Sequence, residues 1–132
     1  MLSVVGSAVP ASSAGAPAEL VTPGHSTSRL NATASFVTWG GNTVGWSRGM
    51  IHLHVVLKWN GAEQVRRDHD CAGSTSCSAD SLTRDWSCPG TWRVETWATG
   101  PGGKSNVDVK ETIVPGTIDT ATSRAICAKR ID

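Results

Sequence analysis

Ile51-His52-Leu53-His54-Val55-Val56-Leu57-Lys58-Trp59, followed by Asn60-Gly61, is the stretch that decides the fold. Side chains on an extended strand alternate between its two faces. One face here carries Ile51, Leu53, Val55, Leu57 and Trp59, and the other carries His52, His54, Val56 and Lys58. The segment therefore predicts a strand buried on one side. Asn-Gly is the strongest short hairpin signal because both residues tolerate positive φ. Residues 62–70 return as a more polar strand, and Glu63, Arg66, Arg67 and Asp68 mark it as a sheet edge that resists pairing with other chains.

The same punctuation recurs outward from this hairpin. Residues 34–39 are rich in strand formers, Gly40-Gly41-Asn42 predicts a turn, and residues 43–46 resume a short strand. After the hairpin come the compact loop 71–77, a weak strand over 78–83 and a turn at Cys88-Pro89-Gly90. Residues 91–98 form a strand with Trp92, Val94 and Ala98 on one face, and Gly100-Pro101-Gly102-Gly103 makes the next turn. In the last strand, residues 105–114, Val107, Val109 and Ile113 fall on one side and Asp108, Lys110 and Thr112 on the other. About seven short strands with turn signals every ~8–12 residues predict an all-β sandwich.

Composition agrees. The 132 residues hold six Trp, one Phe and no Tyr, and no long helical periodicity is present. Twelve basic against eleven acidic residues give a net charge of +1, which removes the main argument for a nucleic-acid partner. No stretch approaches the ~20 apolar residues of a membrane-spanning helix. Residues 1–14 resemble the remnant of a secretion signal, with small residues at a cleavage site after Ala14. Residues 15–31, punctuated by Pro and Gly and lacking alternation, predict a flexible N-terminal arm. The domain proper is expected over 32–132, with a C-terminal tail beyond Gly116. Asn31-Ala32-Thr33 has the spacing of a glycosylation acceptor and carries little weight.

The segment from Cys88 to Val114 resembles the last hairpin of an immunoglobulin-like or fibronectin-like sandwich, a likeness that covers about a quarter of the chain. In general style the chain also resembles small secreted β-sandwich proteins of actinobacteria. These resemblances imply an immunoglobulin-like sandwich and name no activity. An antibody-type inter-sheet bridge is not expected, because cysteines occur only from position 71 onward.

Four cysteines allow three pairings. Cys71 and Cys77 bracket a short loop between two strands, which favours a bond between them. That leaves Cys88 with Cys127, closing a loop of roughly 40 residues, worth on the order of 3–4 kcal/mol in the chain-entropy account. The crossed pairings stay open at this point. No Cys-x2-Cys pair of the zinc-finger type is present.

Two hairpin registers follow from the turn. With a two-residue Asn60-Gly61 loop, His52 lies opposite His69 and His54 diagonal to it, so that three imidazoles cluster as a metal site requires. If Trp59 joins the loop and Gly61 takes a bulge position, Val55 faces Val65 and His52 faces Asp68. Matching apolar faces favours the second register, which leaves the histidines facing solvent. No metal and no cofactor are expected.

Trp59 and Trp92 fall in phase with the core. Trp97 is out of phase with Trp92 and shares its face with Arg93 and Glu95, while Trp86 lies in a polar stretch. Exposed aromatics serve protein-binding and glycan-binding surfaces, which makes Trp86, Trp97, Arg93 and Glu95 the candidate contact residues. No Gly-x-Ser-x-Gly elbow and no phosphate-binding loop occur, and Glu95 and Glu111 are the nearest approach to a carboxylate pair. The expected function is a secreted, non-catalytic binding or adaptor module for an extracellular protein, including as a subunit of a secreted toxin-like complex. A carbohydrate-binding module with exposed tryptophans and a protease inhibitor presenting the Cys71–Cys77 loop are the alternatives.

Overall fold

The computed structural model describes residues 21–33, 36–84 and 88–116. Among these, eight strands run in chain order: β1 (His25–Ala32), β2 (Val37–Val44), β3 (Gly49–Trp59), β4 (Ala62–Ser74), β5 (Cys77–Arg84), β6 (Gly90–Gly100), the two-residue β7 (Gly103–Lys104) and β8 (Asp108–Val114). They form two antiparallel sheets, one in the order β1-β2-β5 and the other β4-β3-β6, with β7 and β8 both paired to β6. The long strands thus divide three against four, with β3 and β6 central to the larger sheet. This is the layering of a β-sandwich.

β3 builds the core as its alternation predicts: Ile51, Leu53, Val55 and Leu57 are fully buried. They meet Trp92, Val94 and Ala98 of β6 and Val37 and Trp39 of β2 in one apolar cluster. Trp59 pairs with Trp92 across the strands, ring centroids 6.2 Å apart, at the edge of that cluster. The two indoles donate hydrogen bonds to backbone carbonyls, Trp59 to Pro89 at 3.2 Å and Trp92 to Cys88 at 2.9 Å. Trp46 is also core, with its Nε1–H donated to Thr43 Oγ1 at 2.7 Å.

Three expectations need correction. Residues 25–31, expected within a flexible arm, belong to β1. The inward phase of β1 begins with Ser26 and Ser28, both buried, before Leu30 and Ala32 pack against the core, so hydropathy is blind to its first half. Hydroxyls hold it instead: Ser26 Oγ bonds Thr43 Oγ1 and Ser105 Oγ, and Ser28 Oγ donates to Thr96 Oγ1 at 2.7 Å. The outward edge of β1 is closed by side chains acting as a substitute strand. Asn106 accepts from Ser26 N–H and donates to Ser26 O, and Asp108 Oδ2 accepts from Ser28 N–H at 2.6 Å. Such pairing satisfies backbone groups that an open edge would leave exposed.

Gly40-Gly41-Asn42 is the interior of β2 and not a turn. A Cβ on Gly41 would sit 2.4 Å from Thr96 Oγ1 on the opposite sheet, so glycine here permits close approach of the layers. The pairing with β5 also slips between Trp39 and Gly41, where Asp80 and Ser81 of β5 stand against the single residue Gly40, a bulge in β5.

Neither expected hairpin register forms. Asn60 and Gly61 do make the two-residue turn, at φ 49° and 85°. Trp59 pairs with Ala62 and Lys58 with Glu63; a bulge at Gln64 then shifts the pairing, so that Leu57 faces Val65. Face matching thus decides the register as expected, but the extra residue lies in β4 rather than in the turn. Val55 faces Arg67, His54 faces Asp68 and His52 faces Asp70.

Cys71 and Cys77 are bonded, Cα atoms 5.7 Å apart, where the chain passes from the edge of the larger sheet to the smaller one. Among the described residues no cysteine is free. Cys88 is buried and disulfide-bonded, while Cys127, its expected partner, lies outside the described residues, as do the signal-like segment 1–14 and Trp86. No helix among the described residues is long and apolar enough to cross a membrane.

Candidate functional site

The inward phase of β3 dictates what the larger sheet shows to the outside. Pairing with β4 and β6 arranges its outer face in rungs: Asp70, His52 and Thr99; Asp68, His54 and Trp97; Arg66, Val56 and Glu95; Glu63, Lys58 and Arg93. β8 extends them, with Val109 beside Glu95, Glu111 beside Arg93 and Ile113 beside Thr91. The candidate residues Arg93, Glu95 and Trp97 are therefore brought together on one face of β6.

Trp97 is half-buried between an imidazole and two cations. The His54 ring stacks on it with centroids 5.3 Å apart and planes at 28°. The Arg66 guanidinium lies 5.5 Å and the Lys104 ammonium 5.8 Å from its ring. A ring lined by two cations and a stacked imidazole combines aromatic area with positive charge. Val56, apolar on this otherwise polar face, is covered and only 1 % exposed.

A ladder of charges continues from there. Glu95 Oε2 accepts from Lys58 Nζ at 3.2 Å and Arg93 Nε at 2.8 Å, and Arg93 Nη1 lies 3.5 Å from Glu111. Burial opposes the charge on Glu95, but the hydrogen bonds and charges of Lys58 and Arg93 outweigh it and hold its pKa below the ordinary carboxylate value. Arg93 thus joins the two carboxylates considered as a pair, and Glu95 is held ionised, a poor state for a general acid.

The sign of that shift makes a prediction. A carboxylate with a lowered folded pKa contributes stability above its unfolded value, about 4.3, and loses that contribution as pH falls through the folded value. Glu95→Gln should therefore be less stable than wild type at pH 7, with the gap closing as pH drops below about 4. Urea unfolding of both proteins from pH 7 to pH 2.5 checks this; a gap that stays constant would contradict it.

Lys58, Gly61, Thr91, Arg93, Glu95 and Glu111 line a shallow depression of about 210 Å³. That is smaller than the roughly 300–1,000 Å³ of typical small-molecule sites. Beside it on β8, Val109 and Ile113, which share one side of the strand as the alternation predicts, point to solvent, and Ile113 is 70 % exposed. Asp108, Lys110, Thr112 and Val114 take the inner phase, because Asp108 is anchored to β1 through Ser28 and Val114 is buried in the core.

The three-histidine cluster is not formed. His69 pairs with Leu53 and so lies on the opposite side of the sheet from His52 and His54. Its ring, Cys71 Sγ and Cys77 Sγ do lie within 4.8 Å of one another, but the disulfide consumes both sulfurs. His52 and His54 each have a carboxylate instead: Nδ1 of His52 is 2.8 Å from Asp70 Oδ1, and Nδ1 of His54 is 2.6 Å from Asp68 Oδ1. These contacts follow from the Gln64 bulge, which no local sequence signal locates. Neither a known family, nor a curated protein, nor a solved structure matches the chain.

Proposed function

We propose that this protein is a non-catalytic binding module that acts outside the cell and recognises another extracellular protein through the outer face of its larger sheet. The observation that carries the proposal is the outward phase of Val109 and Ile113 beside Arg93, Glu95 and Trp97. Backbone pairing with β6 fixes that phase, so the apolar side chains cannot turn inward to escape water. Apolar residues rimmed by Arg and an aromatic ring have the composition of a protein contact surface. The disulfides support an oxidising compartment. The shallow, charged depression suits a protein surface better than an enclosed small ligand, and the cations around Trp97 favour an acidic partner.

The test is retention of a partner by the immobilised full chain from culture supernatant, with mass spectrometry of what is bound. Trp97→Ala and Ile113→Lys should each reduce retention at least ~10-fold while leaving the fold intact by circular dichroism, as expected for central interface residues. Retention unchanged in both variants would refute the assignment of this face. Saturable quenching of tryptophan fluorescence by a cell-wall polysaccharide, abolished by Trp97→Ala, would replace the protein partner by a glycan.

A further inference from the structure

The outer face holds a second arrangement, adjoining Trp97 through His54, which is argued from the histidines and their carboxylates and does not depend on the binding-module proposal. We propose that His52 and His54 form a coordination site for a borderline divalent cation of the copper, nickel or zinc class. Positions i and i+2 of a strand project from the same face, about 6.6 Å apart along the chain. Two imidazoles at that spacing can tilt toward a shared ion.

The carboxylates set the chemistry. Asp70 and Asp68 each contact the Nδ1 of their histidine, at 2.8 and 2.6 Å. A carboxylate at Nδ1 holds the proton there in the neutral ring and leaves the Nε2 lone pair for a metal; metal-ligating histidines are held in this way. The His54 ring is also constrained. His54 is stacked on Trp97, and Asp68 is in turn approached by Arg66 Nη1 at 3.8 Å. The side chains of His52 and His54 are 47 % and 26 % exposed, so an ion can reach them from solvent.

Imidazole suits copper, nickel and zinc, and hard cations that demand oxygen are disfavoured. Two protein ligands leave coordination positions for water or for a donor from a partner. Binding is simple coordination: the ion exchanges water for two ring nitrogens, with no change of oxidation state.

The experiment uses the full chain without a polyhistidine tag, stripped of metal by a chelator and titrated calorimetrically with Cu2+, Ni2+ and Zn2+. One saturable site per chain is expected, tightest for Cu2+. His52→Ala and His54→Ala should each weaken it at least ~10-fold, Asp68→Asn by roughly 10-fold, and His69→Ala not at all. Cu2+ at one equivalent should quench Trp97 fluorescence in wild type and fail to do so in His54→Ala, with thermal unfolding of the metal-free variants unchanged. Absence of a saturable one-to-one site, or uptake undiminished in the doubly substituted His52→Ala, His54→Ala protein, would overturn the proposal.

Discussion

Replacing Trp92 with Ala is expected to lower the unfolding free energy by about 3–5 kcal/mol. Trp92 is fully buried, packs on Trp59 and places its indole N–H on the Cys88 carbonyl. Truncation removes the apolar burial, leaves a cavity between the sheets and deprives a carbonyl of its donor. Against a typical domain stability of about 5–15 kcal/mol, roughly a fifth or more of the total would be lost. For a domain of this size the melting temperature should fall by at least ~12 °C. Trp97→Ala provides the contrast. It removes a half-exposed ring with cationic neighbours and should cost about 1 kcal/mol. Equal losses for the two tryptophans in thermal or urea unfolding would contradict the assignment of one to the core and the other to the surface.

Gly41→Ala should destabilise by about 2–5 kcal/mol, a large effect for one methyl group. The new Cβ would lie 2.4 Å from Thr96 Oγ1 and 2.6 Å from Thr96 Cγ2. Thr96 is fully buried and its branched side chain is stiff at χ1, so it cannot turn aside freely. Turning it would also break the hydrogen bond from Ser28 Oγ, one of the links that hold β1 in place. The alternative is to move the sheets apart, which loosens the apolar cluster. A Thr96→Ala background removes both offending atoms. There the cost of Gly41→Ala should shrink by at least ~1 kcal/mol, a non-additivity that a double-mutant cycle measures. Strict additivity would mean that the glycine serves the irregular pairing of β2 with the bulged β5 rather than the approach of the layers.

The elements that hydropathy can see were legible. The alternation over residues 51–59, the Asn60-Gly61 turn, the polar edge strand and the Cys71–Cys77 bond are all as the sequence predicts. Those that depend on a distant partner were not. β1 has hydroxyls on its buried face, and Ser26 and Ser28 look like linker residues until Thr43, Thr96 and Ser105 arrive from other strands. Gly40 and Gly41 look like a turn because the sequence does not reveal that Thr96 sits opposite.

The candidate site divides in the same way. That Arg93, Glu95 and Trp97 share a face follows from a period of two and needs no structure. That Trp97 gathers His54, Arg66 and Lys104 depends on which strands flank β6. The pairing of each histidine with its own aspartate rests on a single extra residue, Gln64, in β4.

Local periodicity and turn chemistry alone therefore determine an all-β sandwich centred on β3, because alternation and positive-φ residues act within a few positions of the chain. Register, the phase of β8 and the closure of β1 are decided only in the tertiary structure. Each is a choice between nearly equivalent local pairings: the hairpin register is settled by Leu57 facing Val65, and the phase of β8 and the closure of β1 by contacts 80 residues apart in the chain, such as Asp108 with Ser28. That choice turns Val109 and Ile113 outward and so creates the surface from which the proposed function follows.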